Sequence, residues 1–306
     1  MENKGFRQLL RESFKSNDTE EWLDVWFTRP IGLALALACG KMGITPNAIT
    51  IAGIVIGAVG GWMFHYSDLG HNVVAVLLLM LANFCDSADG QLARLTNQKT
   101  ILGRLLDGFA SDVWFFFIYV SVVWRLWHEP MPLLGVEWQW WGFLLCAVAG
   151  LVCHSTQCSL ADYYRNIHLW FIKGDMGSEL DTYAQEECIY DELKQRGWTF
   201  ERLYHFFYKG YCKKQERQTP QFQRFFDKYL ERGTQEVREL FVNGSRPLMP
   251  LTNILTHNTR AFALFIAALI NIPWLYPLFE IVVLQPLYWY MRNRHENLCK
   301  TLKTKI

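Results

Sequence analysis

The chain has 306 residues, 51% hydrophobic and 15% aromatic, with a formal net charge of +1. That balance gives no basis for a nucleic-acid partner, and the apolar excess is high for a soluble chain of this length. Its eight cysteines show no CxxC or metal-finger spacing, and several (Cys85, Cys146, Cys153) lie in apolar stretches, so they read as packed, reduced thiols.

The opening MENKGFRQLLRESFKSNDTEEW lacks the apolar core of a signal peptide, and none is expected. In EEWLDVWFTRPIGLALALACGKMGITPN, residues Trp22, Trp26, Phe27, Ile31 and Leu35 favour one side, with Arg29 and Lys41 near the ends. This stretch is too short and too interrupted for a span. It predicts an amphipathic helix lying along the cytoplasmic leaflet. Gly43 and Pro46 then turn the chain into the membrane.

Six spans follow, at 47–66, 72–94, 102–124, 138–165, 261–272 and 275–291. A crossing needs about 20 apolar residues, so the fifth either extends backwards through Thr256 or is a shallow half-span. With the amino terminus inside, the outer loops are 67–71, 125–137 and the turn at 273. Of 30 Lys and Arg, Arg125 alone then falls outside, a strong positive-inside pattern. The predicted fold is an all-α integral membrane protein in four regions. Residues 1–46 are a cytoplasmic amino terminus with an interfacial helix, and 47–165 hold the first four spans. Residues 166–257 are a helical cytoplasmic insertion, and 258–306 hold the last two spans and a cytoplasmic tail. Within the insertion, SELDTYAQEECIYDELKQRG predicts a helix capped by Ser178, with Asp181 three residues on, and stopped by Gly197. Aromatic stripes in TFERLYHFFYKGYCKKQER and TPQFQRFFDKYLERG predict a small helical bundle or, more sharply, a lid on the membrane surface.

The stretch CDSADGQLARLTNQKTILGRLLDGFASDVWFF carries Asp86, Asp89, Asp107 and Asp112 among apolar flanks. A carboxylate at membrane depth costs a few kcal/mol or more, and four so close repel one another unless cations sit among them. Oxygen ligands suit a hard divalent ion, Mg²⁺ or Mn²⁺. Asp86, Asp89 and Ala93 fall on one face of the second span near its cytoplasmic end. Asp107 lies about one and a half turns into the third. Gly90, Ala93 and Gly103 are small residues on the seam between the two helices. Two metals between two helices suggest phosphoryl chemistry, in which metal neutralises a diphosphate.

The pattern Asp86-x2-Asp89-Gly90-x2-Ala93-Arg94-x8-Gly103-x3-Asp107 resembles the signature of the CDP-alcohol phosphotransferases, with seven residues at the family's spacing. RPIG at 29–32 and GITPNAIT at 43–50 resemble that family's entry into its first span. The resemblance covers residues 28–127 well and the rest by span count, and the chain is similar to the family's inositol-lipid synthases, although the long insertion is atypical. It implies six spans with an interfacial helix, a homodimer, and a CDP-linked donor bound through its diphosphate on two divalent ions. An acceptor hydroxyl attacks the phosphorus distal to the cytidine and CMP leaves. Asp86, Asp89, Asp107 and Asp112 would hold metal, and Asn47, Thr50, Gly90, Ala93, Arg94 and Gly103 would surround the nucleotide. The active site would face the cytoplasm, in a bacterial inner membrane rather than an organelle membrane.

The family places its last aspartate, a ligand and presumed general base, four residues after the third; here that place is Ser111 and Asp112 follows it. On a regular helix Asp112 lies about 140° round from Asp107, and Ser111 about 40°. Three readings follow: a one-residue π-bulge in DGFASD that returns Asp112 to the seam, a weak ligand at Ser111 with another group as base, or an inactive relative.

At the end of the fourth span, His154, Cys158, Asp162 and Arg165 share a helical face with Gln157 beside them. This face reads either as an acceptor site with Arg165 on a phosphate, or as an interfacial Asp162–Arg165 pair with a hydrogen-bonded His154. Arg260 faces the same choice, between acceptor binding and a snorkelling anchor, and the anchor reading is preferred. Two donor classes remain. CDP-diacylglycerol would transfer to inositol, inositol phosphate or glycerol phosphate; CDP-choline or CDP-ethanolamine would transfer to diacylglycerol or ceramide. Six spans and Arg165 favour the first. A divalent-cation transporter would spread its acids through the membrane depth, whereas these cluster near one side. A non-catalytic scaffold would use the insertion as a partner surface.

Overall fold

The computed structural model describes residues 5–12, 18–19, 21–98, 100–132, 134–175 and 178–306. It is helical throughout, with 83% helix and no strand among the described residues. Two compact units are formed, Met1–Val152 with Arg260–Glu280, and Cys153–Thr259 with Ile281–Ile306.

In the first unit, α1 runs Arg29–Lys41, α2 Pro46–Met63, α3 Leu69–Thr96 and α4 Ile101–Leu126. Each start is chemically marked. Thr45 accepts from Ala48 N with Pro46 in the first turn, and Asp68 accepts from His71 N. Asn97 adopts the left-handed conformation (φ 54°) and ends α3, while Gln98 N returns to Ala93 O at 3.0 Å. Thr100 then starts α4 by accepting from Gly103 N at 2.9 Å. This short connection folds α4 back beside α3.

Glycines set how closely α2 approaches both neighbours. A Cβ at Gly53 would lie 3.0 Å from Cys85 Cβ, and one at Gly60 3.0 Å from Leu78 Cβ, both on α3. A Cβ at Gly57 would lie 2.2 Å from Trp114 Nε1 on α4. Small residues seven apart thus face α3, and Gly57 makes room for a buried indole on α4. Helix α1 lies against α3 by the same means, because a Cβ at Gly32 would meet Ser87 Oγ at 2.6 Å. Trp22, Trp26, Phe27 and Ile31 remain exposed.

The single outer-side arginine of the sequence reading is held on every nitrogen. Arg125 donates from Nη1 to Tyr66 O at 3.1 Å, from Nη2 to Asn271 Oδ1 at 2.5 Å, and from Nε to Glu129 Oε1 at 3.1 Å. Arg260 corrects an expectation. It does not snorkel, but is fully buried and ion-paired with the equally buried Glu280, which also accepts from the hydroxyls of Tyr119 and Tyr276. A guanidinium at this depth is satisfied by pairing, and the sequence offers Glu280 for it.

Helix α5 spans Gln139–Lys173, with a π-helical stretch at Val148–His154. Among the described residues, four helices are long and apolar enough to cross a membrane: Pro46–Met63, Leu69–Thr96, Leu102–Leu126 and Gln139–Lys173. The predicted fifth and sixth spans are also helical, at His257–Leu269 and from Leu275 to Lys303, with a π turn at Glu280–Leu284. The former is 13 residues long, about 20 Å. The latter carries Arg292, Arg294, Glu296, Lys300 and Lys303 over its second half.

In the second unit, α6 is Tyr183–Gln195, α7 Phe200–Gln218, α8 Pro220–Arg232, α9 Gln235–Ser245 and α10 Gln285–Lys303. Phe222, Phe225 and Phe241 are fully buried, with Phe171 and Phe241 stacked at 4.0 Å, so this part of the aromatic pattern is core. Helix α10 binds two helix ends at once. Arg292 Nε donates to Gln218 O at 2.6 Å, at the end of α7, and Glu296 accepts from Gln221 N at 2.6 Å, at the start of α8. Each charge meets backbone groups that the helices cannot satisfy themselves. The helix predicted to start at Ser178 begins later. Thr182 caps it in a reciprocal box with Gln185, and Asp181 is engaged by Tyr208 OH at 2.8 Å. Gly197 follows the helix end at φ +95°.

Candidate functional site

The connection between α3 and α4 brings three of the four aspartates together. Asp86, Asp89 and Asp107 each offer a carboxylate oxygen, and these oxygens lie within 4.8 Å of one another. Asp89 is 3% exposed, and its Oδ2 has no hydrogen-bond partner. Its other contacts include the Thr50 hydroxyl and the Gly90 backbone N–H. A buried, unpartnered carboxylate oxygen beside two more carboxylates fits a hard divalent cation. The residues present therefore fit the metal that the sequence pattern calls for.

Asp112 is not in that group. Helix α4 is a regular α-helix from Ile101 to Leu126, so the π-bulge expected in DGFASD is absent and Asp112 is exposed, away from Asp107. The physical reason is local: Gly108 tolerates a bulge but does not impose one, and the neighbouring Trp114 and Ala110 are buried in regular helical register. Ser111, about 40° round from Asp107, stays nearer the seam.

The predicted nucleotide residues surround the triad's flank. Thr100 Oγ1 donates to Asn47 Oδ1 at 3.3 Å. A Cβ at Gly103 would lie 2.7 Å from that same Asn47 oxygen, so the glycine is what leaves room for the Asn47 amide. Gly90 lies under Arg94, with a Cβ there 3.4 Å from Nη1. Ala93 closes the end of α3 through its carbonyl.

The predicted acceptor residues belong to the second unit and are engaged within it. Gln157 Nε2 donates to Gln285 Oε1 at 2.7 Å. Asp162 Oδ2 accepts from Tyr211 OH at 3.1 Å and Gln215 Nε2 at 3.3 Å. Arg165 donates from Nε and Nη2 to Asn253 Oδ1, at 3.2 and 3.0 Å. His154 is buried at the end of the π-helical stretch.

Two contributors escaped the sequence reading. Thr100 holds both the start of α4 and Asn47; its threonine-x-x-glycine position at a helix start was a legible signal. Asp24, in a π turn at Asp24–Thr28, lies near enough for its charge to act on Asp86. No sequence signal separates it from other acids that precede an amphipathic helix.

Residues 43–184 match the family model described as CDP-alcohol phosphatidyltransferase. An uncharacterized protein of Aquifex aeolicus is 40% identical over 68 residues, 22% of this chain and 33% of that protein. An archaetidylinositol phosphate synthase of Pyrococcus horikoshii is 36% identical over 77 residues, 25% of this chain and 37% of that one. A cardiolipin synthase (CMP-forming) of Streptomyces coelicolor is 33% identical over 91 residues, 29% of this chain and 41% of that one. The chain thus spans between a third and two fifths of the length of the curated relatives it matches. No solved structure matches it.

Proposed function

Because residues 43–184 match the CDP-alcohol phosphatidyltransferase family model, we propose that the chain transfers a substituted phosphate from a CDP-linked donor to an acceptor hydroxyl, releasing CMP. The observation that carries this reading is the convergence of Asp86, Asp89 and Asp107. In that role they hold Mg²⁺ or Mn²⁺, two ions as in the sequence reading, which supply charge neutralisation to a diphosphate. The chain's own groups bind and orient. Asn47, set by Thr100 and Gly103, and Arg94, lying over Gly90, contact the donor from one flank. Thr50, whose hydroxyl donates to Pro46 O at 3.1 Å, lies beside the Asp89 carboxylate.

With α4 regular, Asp112 is not a ligand in this proposal. Asp107, the exposed member of the triad, takes the acceptor proton, and Ser111 hydrogen-bonds beside it. Phospholipid synthesis is the setting, with CDP-diacylglycerol as donor and inositol, inositol phosphate or glycerol phosphate as acceptor. The relatives named as archaetidylinositol phosphate synthase and cardiolipin synthase support a lipid-linked product. His154, Gln157, Asp162 and Arg165 are the proposed acceptor residues, with the second reading of a purely structural face favoured at Gln157 and Arg165 by their hydrogen bonds. The proposed topology has six spans, an interfacial α1, a cytoplasmic insertion and a cytoplasmic active site, in a homodimer.

A panel of radiolabelled donors and acceptors tests this. CMP and a labelled lipid should form from CDP-diacylglycerol with a small polar alcohol and a divalent cation. CMP formed instead from CDP-choline or CDP-ethanolamine would move the chain to the other donor class. No CMP from either class would sink the transferase reading.

A further inference from the structure

The turn that precedes α1 carries an acid in line with a buried face. In the π turn Asp24–Thr28, Arg29 N donates to Asp24 O, five residues back. Asp24 and Thr28 therefore stand about one turn apart on one face. Thr28 is buried, and so are Gly32 and Ala36, each a further four residues on. Asp24, itself half-buried, heads this face. Trp22, Trp26 and Ile31 are exposed. A carboxylate aligned with the side that packs on protein is costly unless something there receives it.

That face rests on the stretch of α3 that carries two of the triad. Phe27 meets Phe84 edge-on, with ring centroids 5.5 Å apart. Gln91 Nε2 donates to Arg29 O at 3.1 Å and to Ser87 Oγ at 3.0 Å. Gly32 lies against the same serine, where a Cβ would meet Oγ at 2.6 Å. Ala36 and Cys39 continue the seam by packing with Cys85, Ala88 and Leu92. The contacts of residues 27–32 thus fall at 84–91, a stretch that includes Asp86 and Asp89. Asp24 is tied to this clamped segment through the Arg29 N–H, and its charge reaches Asp86.

A fourth acid near Asp86, Asp89 and Asp107 repels the other three unless a cation lies among them. Asp89 Oδ2, buried and without a hydrogen-bond partner, fits such a cation. The triad supplies three carboxylates, whereas the two divalent ions of the transferase reading carry four positive charges. Asp112, which stands nearest the family's fourth acid in the sequence, is exposed on α4 and outside the group. Asp24 approaches instead from the α1 side of α3. It is not among the carboxylates within 4.8 Å of one another, so it acts through its charge and not as a ligand.

We propose that Asp24 is a positioning residue of the cation site: held against α3 by the π turn, its negative charge raises the affinity of Asp86, Asp89 and Asp107 for a divalent cation. This rests on the triad holding metal, and it adds an acid from outside the family's pattern. The test is Mn²⁺ binding, read by electron paramagnetic resonance on the full chain in nanodiscs at low ionic strength, with no substrate present. Asp24→Asn keeps the size of the side chain and removes the charge, and should raise the Mn²⁺ Kd about fivefold. Asp24→Lys should raise it further, and Asp24→Glu should stay within about twofold of wild type. If Asp24→Asn does not fold, Asp24→Gln beside Asp24→Glu carries the same comparison of charge at equal size. A Kd that follows the charge at position 24 supports the proposal. A neutral variant within about twofold of wild type would overturn it, and so would equal weakening by the neutral and acidic variants, which would make the role one of shape. Wild type that binds no Mn²⁺ would remove the triad reading itself, a result distinct from a bound cation that ignores Asp24.

Discussion

Gly103→Ala and Gly108→Ala differ by five positions on one helix, and the structure predicts opposite outcomes. Both gain about 1 kcal/mol of helix propensity. At Gly108 nothing lies within 4 Å of a new Cβ, so the substitution should stabilise the protein by about that amount and leave CMP release within about twofold. At Gly103 the new Cβ would lie 2.7 Å from Asn47 Oδ1 and 3.0 Å from Thr100 Oγ1. Thr100 is held by the Gly103 N–H that it caps, and moving it costs about 1 kcal/mol. Asn47 yields instead, losing its bond from Thr100 at a cost of about 1 kcal/mol. Gain and loss nearly cancel, so the thermal midpoint in detergent should shift little. The displaced amide should nevertheless weaken donor binding, raising KM for the CDP-linked donor about tenfold, equivalent to about 1.4 kcal/mol, with a smaller change in kcat. Steady-state kinetics of both variants beside wild type read this out. An unchanged donor KM in Gly103→Ala would refute the placing of Asn47 at the nucleotide.

Other expectations follow from the same geometry. Gly57→Ala forces a methyl group into the Trp114 indole and should cost about 1–3 kcal/mol, seen as a lower unfolding midpoint; an unchanged midpoint would contradict the packing of α2 on α4. Arg125→Leu strips three bonds from a buried guanidinium and should destabilise by about 3 kcal/mol; a shift within error would show these bonds contribute nothing. Burial, with His168 adding to it, pushes the His295 imidazole down to about 3. The unfolded chain binds that proton below about 6.5 while the folded one does not, so stability is full above about 6.5. It then falls as pH drops towards 3, by up to about 1.4 kcal/mol per pH unit. His295→Phe should flatten that slope in thermal unfolding between these limits, and an unaltered slope would refute the assignment. Asp112→Asn should keep CMP release within about tenfold, while Asp107→Asn should lose about a thousandfold or more; the reverse order would restore Asp112 as the base.

What was legible in the sequence was whatever depends on residues near one another in the chain. The clustering of the aspartates could be read because α3 and α4 are joined by a short connection, so spacing sets Asp86, Asp89 and Asp107 close together. The cap at Thr182 was equally local: Thr182 with Gln185 three on is a capping-box signature, and Ser178 with Asp181 resembled it closely enough to be preferred. The regularity of α4 was not legible. A π-bulge depends on whether tertiary packing compensates the extra residue, and DGFASD has a permissive glycine whichever way the helix runs. The protein does contain π turns, at Val148–His154 and Glu280–Leu284, in stretches with no local mark of them. The pairing of Arg260 with Glu280 joins residues twenty apart across a helical turn and loop, beyond any helical spacing rule, so an arginine that looked like an anchor proved to be core.

The central claim is that the carboxylate triad holds the metal on which CMP release depends. Its most direct measurement is CMP release from CDP-diacylglycerol by the purified chain in nanodiscs, with and without Mn²⁺, beside Mn²⁺ binding read by electron paramagnetic resonance in wild type and Asp89→Asn. CMP should form only with the cation, and Asp89→Asn should lose both bound Mn²⁺ and activity. CMP release that persists in a metal chelator, or full Mn²⁺ binding by Asp89→Asn, would contradict the account.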